Sequence, residues 1–144
     1  MNRPKIVRKR IGYSNVTLII NGKNSVLVDT GVRGYIHRIV QLIHQSGLIA
    51  EDIKLIILTH THYDHTGNLR KLVNLTRAKV LVHQREYENL KLGFIRILDG
   101  MGRHTRFISR LGRIVVPGFA SPQPFDADLV NRDYKQVHQN LSEL

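Results

Sequence analysis

The apolar positions of this chain fall into short runs separated by glycines and polar clusters, and the runs differ in period. Asn15-Val16-Thr17-Leu18-Ile19-Ile20 is rich in β-branched residues and predicts a strand. Asn21-Gly22-Lys23-Asn24 predicts a turn, and Ser25-Val26-Leu27-Val28-Asp29 the returning strand of a hairpin that ends in Asp29-Thr30-Gly31. Between Tyr35 and Ser46 the period changes. Ile36, Ile39, Val40 and Ile43 share one stripe, His37, Gln41 and His44 fall on the opposite polar face, and Gly47 is placed to end the helix. Leu55-Ile56-Ile57-Leu58 is continuous rather than alternating, which predicts a strand buried on both faces. Strand, helix, strand predicts a crossover unit with parallel strands. Further on, Leu69, Leu72, Val73 and Leu75 predict a second helix starting near Thr66 or Gly67. Ala78–Val82 predicts another strand, and Gln84 to Leu92 another helix. From Gly93 onward, Gly100, Gly102, Gly112, Gly118, Pro117, Pro122 and Pro124 interrupt the pattern.

The chemistry sits where the buried strand ends. Thr59-His60-Thr61-His62-Tyr63-Asp64-His65-Thr66-Gly67-Asn68 brings three imidazoles and a carboxylate together directly after the apolar run, at a position where ligands collect in sheets with helical crossovers. His60 and His62 are two apart, so in extended backbone they point to the same side. Neutral imidazole is the commonest metal ligand, and a carboxylate completes a zinc-like set. Asp64 and His65 follow where the chain turns and could reach a second ion.

The stretch resembles the His-x-His-x-Asp-His signature of the metallo-β-lactamase-fold hydrolases, including the preceding Thr59 and the trailing Gly67-Asn68. The resemblance implies an α/β fold of the αββα sandwich type, two mixed sheets face to face with helices outside. It implies that His60 and His62 hold one Zn2+ and that Asp64 and His65 hold a second. Asp64 would also be catalytic, orienting a metal-bound hydroxide. Asp29-Thr30-Gly31 after its hairpin resembles the same family, where the aspartate supports the metal loop by hydrogen bonds. A helix N-cap or turn carboxylate is the alternative for Asp29. Thr61 reads as a spacer and Tyr63 as a packed or exposed ring. His83, at a strand end, could approach the site but is not expected to ligate.

The resemblance runs from about Ile11 to Leu92, with weaker agreement to Asp128 around Phe125-Asp126-Ala127-Asp128. This is the N-terminal half of the family's fold, so the expectation is a single truncated domain over residues 1–144. The family's later half supplies a third histidine for the first metal, a bridging aspartate and a last histidine for the second. His104 and His138 are the nearest substitutes in this sequence. Weak metal retention follows as an expectation, as does a homodimer in which a second copy supplies ligands.

Composition narrows the choice. There is no cysteine, so any metal must be held by His, Asp or Glu. No stretch is long enough to span a membrane, and the basic Met1 to Arg10 segment lacks a signal-peptide core, so a cytoplasmic protein without membrane contact is expected. No Gly-x-Ser-x-Gly elbow is present, which disfavours serine hydrolysis. The expected function is metal-dependent hydrolysis of a small ester, thioester or lactone-type substrate. The net charge of +11, with Arg96, Arg103, Arg106, Arg110 and Arg113 crowded together, raises a nucleic-acid partner and a nuclease as the alternative. Aromatic residues at 6% are thin for base stacking. A non-catalytic metal-binding remnant is the third reading.

Overall fold

The structure is a computed structural model that describes residues 4–93 and 123–132. Six strands form one mixed sheet in chain order: β1 (Lys5–Ile11), β2 (Ser14–Ile20), β3 (Ser25–Val28), β4 (Ile53–Leu58), β5 (Lys79–His83) and β6 (Leu129–Asn131). β1, β2 and β3 pair antiparallel, and β3 through β6 pair parallel. The helices are α1 (Ile36–Gln45), the single turn α2 (Tyr63–Thr66), α3 (Leu69–Thr76) and α4 (Gln84–Leu92). The β2–β3 hairpin, the crossover through α1 and the buried β4 all stand where the sequence pattern put them.

The main core cluster lies on one face of the sheet, and Leu55 and Leu81 are buried on the other. Val16, Leu18, Leu27, Ile56, Leu58, Val80 and Val82 pack against Ile39, Leu42 and Ile43 of α1, Leu69 and Leu72 of α3 and Leu90 of α4. The register explains the grouping, because Leu18, Leu27, Ile56 and Val80 are successive cross-strand partners. Burying each such side chain contributes about 1.5–3 kcal/mol. The amphipathic stripe of α1 meets the sheet as its spacing requires, with His37, Gln41 and His44 exposed on its far side.

Three features differ from the sequence pattern. β1 was not anticipated, because its four cations among Lys5, Arg8, Lys9 and Arg10 mask the alternation. Among the described residues it is an edge strand, turned back on β2 at Gly12-Tyr13, and edge strands tolerate charge. β6 was also missed. It is positioned by Asp128, whose Oδ2 accepts from the Val80 N–H at 2.8 Å, and by Phe125 N–H donating to the Leu90 carbonyl. The helix expected from Thr66 or Gly67 is instead two pieces, α2 and α3. Gly67 and Asn68 between them are bonded to the loop after β3, which breaks the helical run. Leu75, assigned to its apolar stripe, is 42% exposed. The arginines from Arg96 to Arg113, His104 and His138 lie outside the described residues.

Because β3, β4 and β5 are parallel, their C-terminal ends share one edge of the sheet. Asp29, the Thr59–His65 loop and the start of α4 all leave from that edge.

Ile56 is fully buried at the centre of this arrangement. Ile56→Ala is expected to destabilise the fold by about 2–5 kcal/mol, measured as a shift of the urea unfolding midpoint at unchanged slope.

Candidate metal centre

The chain leaves β4 at Leu58 and winds into α2, with His62 at the helix N-cap. His60 and His62 alternate across Thr61, and their ring centroids lie 4.8 Å apart. His65, inside α2, returns over His60 with a centroid distance of 4.0 Å. Asp64 Oδ2 is 3.4 Å from His65 Nε2. One ligand atom from each of His60, His62 and Asp64 lies within 4.8 Å of the other two. A tetrahedral site with bonds of about 2.0 Å spaces its ligands about 3.3 Å apart, so these side chains need only close inward around an ion. Imidazole nitrogen with carboxylate oxygen is a donor set that suits zinc and related divalent ions. The residues present therefore fit such an ion.

Asp29 organises the loop from beneath. It follows β3 with φ of 62°, a left-handed conformation that aspartate tolerates better than most residues. Its Oδ1 accepts from the Thr59 N–H at 2.9 Å, and its Oδ2 accepts from the Thr59 hydroxyl at 2.8 Å and from His65 Nδ1 at 2.8 Å. An ionised carboxylate only accepts, so His65 Nδ1 donates to Asp29 and Nε2 is the ring nitrogen turned toward Asp64. The Thr59 hydroxyl proton is committed to Asp29, so Thr59 Oγ1 can accept from His60 Nδ1 at 3.1 Å. The same carboxylate thereby sets the tautomers of both His60 and His65, leaving each Nε2 free to ligate. Asp29 thus stands under the loop as the Asp-Thr-Gly resemblance implied.

The loop after β3 is stitched to the motif's far end. Thr30 donates through its N–H and its hydroxyl to the His65 carbonyl, at 2.7 and 2.8 Å. Asn68 Nδ2 donates to the carbonyls of Thr30 and Val32 at 2.8 and 2.7 Å. Gly67 N–H donates to the Gly31 carbonyl, and a Cβ on Gly67 would overlap the backbone of Gly31, Val32 and Arg33. Only glycine fits that contact.

Thr61 is not a spacer. It is buried, and both its N–H (3.1 Å) and its hydroxyl (2.6 Å) donate to Glu86 Oε2 on α4. Burial works against the charged form of Glu86, but the bonds from Thr61 and the nearby His60 outweigh it and hold the carboxylate below its usual range. Glu86 was missed in the sequence because it reads as an ordinary first-turn helix carboxylate. The one available signal was Thr61, whose side chain must face away from the two histidines. Tyr63 is half-buried and meets Tyr13 edge to face, with centroids 6.2 Å apart. His83 caps α4, its Nδ1 accepting from the Arg85 N–H at 3.2 Å, and it does not join the three-residue cluster.

The model of the metallo-beta-lactamase superfamily matches residues 10–131 of the chain. The "Probable metallo-hydrolase MJ0888" of Methanocaldococcus jannaschii is 32% identical over 82 residues, covering 57% of this chain and 39% of that protein. The "Lactamase-like protein aptB" of Emericella nidulans is 33% identical over 94 residues, covering 63% of this chain and 28% of that protein. Among solved structures, a beta-lactamase from Chitinophaga pinensis superposes with a TM-score of 0.60 at 28% identity, covering 83% of this chain and 39% of that one. The metallo-beta-lactamase MIM-1 from Novosphingobium pentaromativorans superposes with a TM-score of 0.64 at 19% identity, covering 83% and 38%. The chain thus spans well under half the length of these relatives, and over that span its fold is theirs.

Two outcomes follow from the geometry. Gly67→Ala is expected to destabilise the protein by on the order of 1–3 kcal/mol, because backbone on both sides must shift; thermal unfolding measures it. His60 is held below its ordinary value of 6.5 by burial, then by the positive potential of His65 and His62. The unfolded chain therefore takes up this proton first, so metal-free stability falls as pH drops below about 6.5 and through the folded-state value. Denaturation midpoints across pH 7 to 5 should show the loss, and His60→Ala should reduce it.

Proposed function

Because the chain belongs to the metallo-β-lactamase superfamily, we propose that it is a metal-dependent hydrolase acting on a small ester, thioester or lactone-type substrate. The observation that carries this reading is the convergence of His60, His62 and Asp64 at the C-terminal edge of the parallel strands. Zn2+ is the ion proposed, one or two per complete site, with His60 and His62 holding the first and Asp64 and His65 the second. When bound, such an ion supplies a Lewis acid for the attacked oxygen and water that is deprotonated near neutral pH. Asp64 is the proposed catalytic residue. Its carboxylate, set beside His65 and half-buried, accepts a proton or a hydrogen bond from the nucleophile and so orients it. Asp29, Thr59 and Thr30 keep His60 and His65 in one tautomer and one place. Among the described residues no helix is long and apolar enough to cross a membrane, and a small-molecule substrate free in solution is the partner proposed.

The net charge of +11 favours a second reading within the same fold, hydrolysis of a phosphodiester in nucleic acid. On that reading, binding to RNA or DNA weakens steeply as salt rises. On the first reading, thioester or ester hydrolysis is insensitive to salt in the same range.

The full chain loaded with Zn2+ is expected to retain metal after dialysis and to hydrolyse a generic thioester or ester. Joint replacement of His60 and His62 by Ala should abolish both, as read by elemental analysis and by product release. Unchanged metal content in that double variant would remove the site assignment. Asp29→Asn places an amide nitrogen where one of the two accepting oxygens stands, so it cannot accept from the Thr59 N–H, the Thr59 hydroxyl and His65 together, and should weaken Zn2+ binding by about 10–100-fold in a calorimetric titration.

A further inference from the structure

The loop that carries the histidines is held from two sides. Asp29 holds it from the β3 side. On the β5 side, the contact between Thr61 and Glu86 spans 25 residues and has no part in the chemistry described above. We propose that Glu86 is a positioning residue for the His60–His62 pair, acting through Thr61. The proposal rests on the metal-site reading given above and adds a residue from α4 to it.

Thr61 is the residue between the two ligands. In extended backbone its side chain points opposite to theirs, and it is buried to 3% exposure. Its N–H belongs to the peptide plane that joins it to His60. The bond from that N–H to Glu86 Oε2 at 3.1 Å fixes the plane, and the 2.6 Å bond from the hydroxyl to the same oxygen fixes the side chain. Rotation of that plane would swing both imidazoles together and change the distance between their nitrogens. Glu86 is itself well anchored. α4 begins directly after β5, is capped by His83, and buries Leu90 completely one turn beyond Glu86. The carboxylate is therefore a fixed point carried by the sheet, and the spacing of the histidines refers to it. Without it, Thr61 has two buried donors to satisfy, and the loop must rearrange to do so.

The full chain is compared with Glu86→Ala, Glu86→Gln and Thr61→Val, each titrated calorimetrically with Zn2+ alone below its melting temperature. Glu86→Ala is expected to bind at least tenfold more weakly, in line with other residues that orient metal ligands without touching the metal. Glu86→Gln should recover most of that loss, because its amide oxygen accepts the same two bonds. Wild-type affinity in folded Glu86→Ala overturns the proposal. So does a Gln variant as weak as the Ala variant, which would assign the effect to charge alone.

A second readout needs no metal. Imidazole 1H–15N spectra of the metal-free protein should show the His60 and His62 signals shifted or broadened in Glu86→Ala. Those of His37 and His44, exposed on α1, should stay unchanged. Unchanged His60 and His62 signals overturn the proposal. If the wild-type chain binds no Zn2+, the metal-site reading fails, and these spectra still decide the role of Glu86. If Glu86→Ala does not fold, Thr61→Val decides: it removes the shorter bond, and wild-type affinity with wild-type spectra overturns the inference.

Discussion

A single carboxylate, that of Asp29, is the point through which the candidate site is held together. It receives Thr59 and His65 directly and reaches His60 through the Thr59 hydroxyl. Each of these bonds crosses 30 residues of sequence or more, apart from the step between the neighbours Thr59 and His60. The carboxylate can act in this way only because β3 and β4 run parallel and end together. It also needs the left-handed turn at Asp29, which aims it along the sheet edge rather than into the core. Charge-assisted hydrogen bonds of this kind, partly shielded from water, are the stronger ones available to a protein. Without this carboxylate the imidazoles of His60 and His65 would lose the bonds that orient them.

The tethering has a shared logic. Three of the parallel strands contribute one element each at their C-terminal ends: Asp29 after β3, the ligands after β4, Glu86 in the helix after β5. The ligand-bearing loop is the middle one and is bonded to both neighbours. Gly67 and Asn68 add backbone contacts to the Gly31–Arg33 segment close enough to exclude a side chain. The site therefore has little loop freedom of its own and takes its precision from the sheet.

Much of this was legible in the sequence because the relevant signals are local. The apolar run Leu55–Leu58 fixed β4, the stripe of Ile36, Ile39 and Ile43 fixed α1, and the spacing of His60, His62, Asp64 and His65 marked the cluster. The rest was illegible for physical reasons. Charge on an edge strand hid β1, since that face of the strand has no core to meet. β6 is three residues long and owes its place to Asp128 bonding across to Val80. The break between α2 and α3 comes from bonds made to a loop more than thirty residues earlier, which no local pattern contains. Glu86 was hidden for the same reason. A glutamate near a helix start looks the same whether it faces water or holds a threonine 25 residues away.

The cations of β1 have a consequence for association. Among the described residues, the outer side of that strand is an unpaired antiparallel edge of the sheet, where another extended chain could add itself. Lys5, Arg8 and Arg10 are exposed along it, and Ile6 is 66% exposed among them. A second copy docking edge to edge would bring two such rows of positive charge opposite each other, and like charges facing across paired strands are destabilising. The same residues that obscured the strand in the sequence oppose edge-to-edge pairing of identical chains there.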